Sequence, residues 1–215
     1  MTSFVPAHPS AAADLATFAR RVAKFEADAV VRIVAYGPVA GCFAETPFDA
    51  LALRAVALAE PAEFDVVVEA GTLAARAVGT AGEFELPPAL PALRWASSLP
   101  PRSGWTELAR LKLVDVVADV DRGVEEFRER AAGVADGKSL RAGRAALEGL
   151  ATEIWDRELA SGVPLRLAHA AGSYGFLGGP DDAGEVVLRA VGAWWRLDAP
   201  NGTMLARTGL ALFAL

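Results

Sequence analysis

The segment EVVLRAVGAWWRLDAPNGTMLART, residues 185–208, decides the fold of the C-terminal part of this chain. Branched and aromatic residues form three short runs, Glu185–Val191, Ala193–Asp198 and Thr203–Thr208, and such runs are typical of β-strands. Asn201-Gly202 separates the last two runs and is a strong hairpin signal, because both residues accept the φ angles of a tight turn. The segment therefore predicts a three-stranded β-meander.

Helical patterns precede this meander. Between residues 113 and 131, apolar residues recur at alternating spacings of three and four, with acidic residues on the opposite side. A second helix is expected over 139–158, capped by Ser139, and a third over 164–177, which Pro164 opens. The buried stripe predicted for the first of these helices consists of Leu113, Val117, Val120, Val124, Phe127 and Ala131.

The two later helices, the Ser161-Gly162 turn and the meander together resemble a winged helix. In that arrangement the helix over 164–177 would enter the DNA major groove. Few basic residues lie there to contact phosphates, which supply much of the affinity for DNA. We therefore expect no nucleic-acid partner and keep a winged-helix-like DNA-binding regulator as an alternative. Its candidate DNA contacts are Arg166, His169, Ser173 and Tyr174.

The N-terminal part predicts a helix-covered sheet over residues 11–85. Residues 1–10 have two prolines and no periodicity, so we expect a flexible tail. A helical pattern over 12–28 precedes three apolar runs that indicate strands, while Leu51–Ala59 suits either strand or helix. Gly-Pro and Glu-Pro pairs are expected to end these strands. The strands are Ala29–Tyr36, Val39–Glu45 and Glu63–Glu69, and a short helix is expected over Gly71–Val78.

A proline-rich connector over residues 86–105 separates this region from the helical region and meander of 106–215. Arginine can hold an anion and tryptophan can stack on a ring, so a cleft at the connector could bind a small molecule or house an enzyme active site. Packing of one region on the other explains the same residues equally well. The candidate ligand-binding residues are Arg94, Trp95, Arg102 and Trp105.

The composition limits the chemistry. The chain has 215 residues, 53% of them hydrophobic, and a formal net charge of −6. Cys42 is the single cysteine and His8 and His169 are the two histidines, so we expect neither a disulfide nor a metal site, and no cofactor. No apolar run is long enough to span a membrane, and residues 1–30 lack a signal peptide, so we expect a cytoplasmic protein.

Familiar catalytic patterns are missing from the sequence. There is no Gly-x-Ser-x-Gly motif, and a buried, inert thiol is the default reading of Cys42. The glycines at 172, 175, 178 and 179 lie within or after an expected helix rather than in a strand-to-helix turn. Close helix packing and a helix end therefore explain them better than a nucleotide-binding loop.

Three segments carry a family resemblance. The connector RWASSLPPRSGW (94–105), DALALRAVALAEP (49–61) and the WRL…NG hairpin (195–202) resemble uncharacterised proteins of high-GC actinobacteria. No activity is known for that group. The resemblance therefore implies no catalytic residue and no ligand.

Trp194 and Trp195 are the strongest indication of contact with a partner. Adjacent strand residues point to opposite faces of a sheet, so one ring is expected inside and the other on the far side, where something must cover it. The sequence as a whole predicts an α+β protein: an N-terminal helix with a small, mostly antiparallel sheet, a proline-rich strap, and C-terminal helices followed by the meander. Its expected function is a non-enzymatic interaction or regulatory protein that self-associates as a homodimer.

Overall fold

The computed structural model describes residues 2–77, 82–133, 140–179 and 182–208. The chain forms two compact units, Met1–Arg102 and Ser103–Leu215. The boundary between them lies inside the segment 86–105 that was predicted to connect two regions. Ser139, expected to cap a helix, lies outside the described residues.

Most of the N-terminal unit consists of one helix and one long hairpin. Its elements, in chain order, are β1 (Ser3–Phe4), α1 (Ser10–Phe25), β2 (Val30–Glu45), β3 (Leu51–Glu69), α2 (Ala70–Arg76), β4 (Phe84–Glu85) and a 3-10 turn at Ala92–Arg94. Leu15, Phe18 and Val22 lie on the buried face of α1, as their helical spacing predicts. Helix α1 contacts α2 and both long strands.

The two long strands run through the prolines that were expected to end them. β2 pairs antiparallel with β3 from Val30↔Glu69 to Gly37↔Ala62, and pairing resumes at Val39↔Ala57. Pro38 and Pro61 fall where the register shifts, so neither has to donate an N–H to the β2–β3 ladder. The prediction of separate strands was wrong for this reason, and Leu51–Ala59, left open between strand and helix, is strand.

The N-terminal residues form part of the unit, and the expected flexible tail was wrong. Ser3 and Phe4 pair with Glu85 and Phe84. Phe4 is buried and its ring meets Phe84 edge-on, with 5.4 Å between ring centroids. The Ala7 N–H donates to the Ala57 carbonyl and the Ala59 N–H donates to the Val5 carbonyl, next to the register shift of β3.

The C-terminal unit packs three helices with a four-stranded sheet. Its elements are β5 (Thr106–Lys112), α3 (Leu113–Ala132), α4 (Leu140–Trp155), β6 (Glu158–Ala160), β7 (Val163–Pro164), α5 (Leu165–Ser173), β8 (Glu185–Val191), β9 (Trp194–Ala199) and β10 (Gly202–Arg207). The antiparallel order is β10-β9-β8-β5. Helices α3 and α5 contact this sheet. Over the described ranges, no helix is long and apolar enough to cross a membrane.

The meander forms with boundaries within one residue of those predicted. Gly202 pairs with Ala199 across the Asn201-Gly202 turn. The prediction missed β5, which pairs along β8 from Thr106↔Ala190 to Lys112↔Glu185 and makes the sheet four-stranded. Buried residues of the meander strands, such as Leu188, Leu197 and Met204, contribute to the core.

Helices α3 and α5 differ from their predictions in face and in length. The buried residues of α3 are Leu113, Val116, Val120 and Gly123, whereas Val117 and Val124 are half-buried. Helix α5 ends at Ser173 and not at 177. Gly175 has φ +65° there, and the N–H groups of Gly175 and Phe176 donate to the carbonyls of Gly172 and Ala171. This Schellman motif ends the helix.

Candidate functional site

Helix α3 has a cavity on each side, and the lining of the first combines aliphatic and polar side chains. This cavity has a volume of about 280 Å³ and lies between α3 and the C-terminal part of α5. We call it the α3–α5 groove. Its lining residues are Val117, Val120, Asp121, Val124, His169, Gly172, Ser173, Leu177 and Gly178.

A glycine keeps the α3–α5 groove open. A Cβ atom placed on Gly172 would lie 3.5 Å from Leu177 Cδ1 and 3.8 Å from Val120 Cγ1. Both are ordinary van der Waals distances, so the position has room for a Cβ atom. Val120 and Leu177, which flank this position, line the groove but are themselves buried, at 7% and 4% exposure.

His169 forms part of the groove wall and is stacked on Trp155. The two rings are 3.8 Å apart between centroids and 5° from parallel. Burial lowers the pKa of the His169 imidazole below its ordinary 6.5. The imidazole is therefore neutral at neutral pH, and it does not repel a cation placed in the groove.

The cavity on the other side of α3 is enclosed by ion pairs. It has a volume of about 160 Å³, and its lining includes Asp119, Arg122, Glu126 and Arg157. Arg157 Nη2 lies 2.7 Å from Glu126 Oε1, and Arg122 Nη1 lies 2.8 Å from Asp119 Oδ1. We call this side of α3 the ion-paired flank.

Glu126 is the centre of the ion-paired flank. Hydrogen bonds from Arg157 and Arg130 hold the pKa of its carboxyl at about 2, below the ordinary 4.5. Arg130 also bonds Glu153 on α4, at 2.7 Å. The acidic and basic groups of this flank thus neutralise one another.

The groove side has carboxylates without such partners. Helix α3 has six acidic and three basic residues. Asp119, Glu125 and Glu126 form ion pairs, but Asp121 forms none with any described residue. Asp182 lies against Gly178 at the end of the groove, where it accepts the Gly179 N–H at 2.6 Å. The rim of the groove is therefore negatively charged.

The edge strand β5 offers a second surface. It pairs with β8 on one side, and on the other side it pairs with no strand of the described chain. A bulge between Glu107 and Ala109 turns out Leu108, which is 37% exposed. The Ser161 hydroxyl lies 3.5 Å from the Leu108 carbonyl, at the outer limit of a hydrogen bond.

The two tryptophans are buried to different extents. Trp194 is 8% exposed, and the Arg207 guanidinium lies over its ring at 5.1 Å. Trp195 is half-buried. Neither ring is fully exposed, so neither requires an outside partner to cover it. Their predicted role in an interface stays a prediction.

The four connector residues each have a contact of their own. Arg94 donates to the Asp28 carbonyl at 3.0 Å, and Arg102 lies over the Tyr36 ring at 4.6 Å. Trp95 is buried, with its indole N–H donated to the Ser97 carbonyl. In the C-terminal unit, Arg196 lies over the Trp105 ring at 5.5 Å. Burial leaves Trp95 little surface for stacking on a ligand, and the binding site predicted for these residues stays a prediction.

The four candidate DNA contacts do not share one exposed face. Tyr174 is 1% exposed, so its predicted outward position was wrong: it follows α5 in the turn that ends the helix and packs in the core. Arg166 pairs with Asp156 at 2.7 Å. His169 and Ser173 line the α3–α5 groove.

Sequence reasoning missed the groove. It assigned Val117 and Val124 to the core and Asp121 to a solvated face, and it explained Gly172 by close packing. The available signal was the width of the apolar surface of α3, which exceeds what one core-facing stripe needs. Val114, 65% exposed, is the outermost part of that surface. The expected buried thiol is observed in the N-terminal unit, where burial raises the pKa of Cys42 to about 12.

The fold is similar to that of bacterial sliding clamps. Three crystal structures from Pseudomonas aeruginosa match: DNA polymerase III subunit beta (TM-score 0.56, 13% identity), the DNA polymerase sliding clamp with ligand (0.55, 12%) and the same sliding clamp (0.54, 13%). They cover 99%, 95% and 100% of this chain. The chain spans 66%, 63% and 66% of those proteins, or about two thirds of their length.

A family model that matches residues 100–211 identifies the family of the chain. The chain belongs to the family of the domain of unknown function DUF8185, whose model matches residues 100–211. Residues 1–97 match a second domain of unknown function, DUF8010. No curated protein matches the chain.

Proposed function

We propose that the protein is a non-catalytic interaction protein that forms a homodimer through the edge strand β5. The observation that carries this proposal is the side of β5 that pairs with no described strand. Backbone N–H and C=O groups along such an edge are a template for a further strand. A second copy of the chain is present in every solution of the protein, and we take it as the partner that supplies this strand.

The outer strand of the N-terminal hairpin is less suited to this pairing. Pro38 lies in β2 beside the register shift, and proline removes one backbone donor from an edge. The sequence of β5, TELARLK, contains neither proline nor glycine. The exposed Leu108 adds apolar surface that a second strand would cover.

The charges of β5 are complementary to those of a second, antiparallel copy. When Glu107 of one copy is placed opposite Arg110 of the other, symmetry repeats the pair, and Leu108 falls opposite Ala109. Opposite charges across antiparallel strands stabilise the pair. Within one chain, Glu107 and Arg110 already lie 3.0 Å apart, so both side chains are on the same face. The two-fold contact is of the isologous kind.

The fold likeness agrees with a role in protein assembly. One of the similar structures is by name a subunit of DNA polymerase III. The likeness is one of fold, at 13% identity, so the polymerase partner is not carried over. What the likeness supports is the coarser role of protein interaction.

Sedimentation velocity in the micromolar range tests the proposal with two matched variants. Leu108→Asp places a charge at the centre of the proposed contact, while Val114→Asp places one at an exposed valine on α3. We expect a dimer for the wild type and for Val114→Asp, and a monomer for Leu108→Asp. A monomeric wild type, or a Leu108→Asp variant that stays dimeric, would contradict the proposal.

A further inference from the structure

The α3–α5 groove has a volume at the lower end of the range for ligand pockets, and it is large enough to receive a side chain. Its volume is about 280 Å³, whereas pockets for small-molecule ligands span roughly 300–1,000 Å³. Val117, Val124 and Leu177 give it apolar walls. A groove beside a helix with one or two anchor positions is a common way for a protein to receive a peptide segment.

The charge around the groove specifies what should flank that anchor. Asp121 on one wall and Asp182 against Gly178 form no ion pair with any described residue. The nearest basic residue along α3 on this side, Arg128, is already bonded to Glu125. Complementary potential favours a cation and disfavours an acidic or phosphorylated segment.

We propose that the α3–α5 groove binds a segment of a partner protein, inserting an aliphatic side chain between Val117, Val124 and Leu177 and setting a lysine or arginine against Asp121. This inference rests on the proposed interaction function and assigns it a second surface, separate from β5. His169 and Ser173 complete the groove wall beside the anchor.

A library of random peptides displayed on phage tests the groove. Selection uses the full wild-type chain, and each enriched peptide is then measured against Gly172→Leu, which fills the groove from α5. We expect peptides with an aliphatic residue next to lysine or arginine, binding that weakens roughly tenfold with Gly172→Leu, and a smaller loss with Asp121→Asn. Asp115→Asn, on the far side of α3, is the charge control and should leave binding unchanged.

Two further variants separate groove filling from misfolding. Gly149→Leu on α4 is the matched control, because nothing lies within 4 Å of a Cβ at that glycine. Gly172→Ala adds only the Cβ that the structure accommodates at 3.5 Å or more. It should weaken binding in the same direction if Gly172→Leu does not fold. Acidic enriched peptides, or peptides bound equally by Gly172→Leu or Gly172→Ala, would overturn the assignment.

The groove proposal and the dimer proposal can be refuted independently. A chain that sediments as a dimer but enriches no aliphatic-basic peptide overturns the groove assignment and leaves the β5 contact in place. A monomeric chain that enriches such peptides, with loss of binding in Gly172→Leu, supports the groove and overturns the dimer.

Discussion

The two sides of helix α3 differ in how tightly they are packed, and a glycine on each side shows the difference. On the ion-paired flank, a Cβ at Gly123 would lie 2.7 Å from Trp155 Cζ3. In the α3–α5 groove, a Cβ at Gly172 would make only ordinary contacts. The first glycine is required because the space is full. The second is at a position that would accommodate a methyl group.

The two sides of α3 also differ in whether their charged residues form ion pairs. Around Glu126 the arginines and carboxylates form ion pairs with one another. The ion-paired flank therefore has no excess charge that would attract a charged partner. The groove combines the half-buried Val117 and Val124 with Asp121, which forms no ion pair with any described residue. Apolar surface bordered by polar and charged residues is typical of interaction sites.

The largest expected effect is the contrast between the two glycines. Gly123→Ala should destabilise the chain by about 1–3 kcal/mol, because the methyl group forces the Trp155 ring to move. Gly172→Ala should be neutral or stabilising by up to about 1 kcal/mol, since alanine favours helix and the space is available. Urea unfolding of both variants measures the contrast; equal losses would show that the groove is as tightly packed as the other flank.

The pH dependence of stability should report the neutral His169. Its pKa is lowered in the folded chain, so below the ordinary value of 6.5 the unfolded chain takes up a proton that the folded chain resists. Stability should fall as the pH drops from neutral to about 5, above the range where carboxyls protonate. His169→Phe, which keeps the stack on Trp155, should flatten the thermal midpoint over that window. An unchanged slope would place the titration elsewhere.

A smaller effect is expected from Glu126. Its folded pKa of about 2 lies below the ordinary 4.5, so its contribution to stability is present above pH 4.5 and is lost as the pH falls through about 2. The difference in thermal midpoint between wild type and Glu126→Gln should therefore vanish in strong acid, and it should shrink in salt. Glu129→Gln, which breaks no ion pair seen among the described residues, should show no such pH-dependent difference.

The smallest effect belongs to Asp121. Asp121→Asn removes a charge that stabilises nothing within the described chain, so the midpoint of unfolding should not change measurably. A clear loss of stability would make Asp121 a structural residue and remove the charge argument for the groove.

The sequence predicted those parts of the fold that local signals control. The meander was found because Asn201-Gly202 specifies its turn and the flanking runs alternate. The prolines misled the prediction because Pro38 and Pro61 occupy register shifts, where no ladder donor is missing. Strand β5 was missed because its sequence, TELARLK, has more charge than branched residues, and its pairing with β8 is a contact distant in sequence.

The hydrophobic periodicity of the sequence could not predict the α3–α5 groove. Helix α3 has valines at 114, 116, 117, 120 and 124, so its apolar surface is wider than the buried face. Helix α5 covers part of the apolar surface of α3, and the position where α5 ends determines which part stays uncovered. That end is set by the left-handed Gly175, whose φ angle no periodic pattern reveals.

Amide hydrogen exchange over a range of protein concentrations tests most directly whether the chain acts through association of β5. The account predicts that the outward amides of Thr106–Lys112 exchange more slowly as concentration rises, while those of α3 do not respond. Exchange along β5 that is independent of concentration would contradict it.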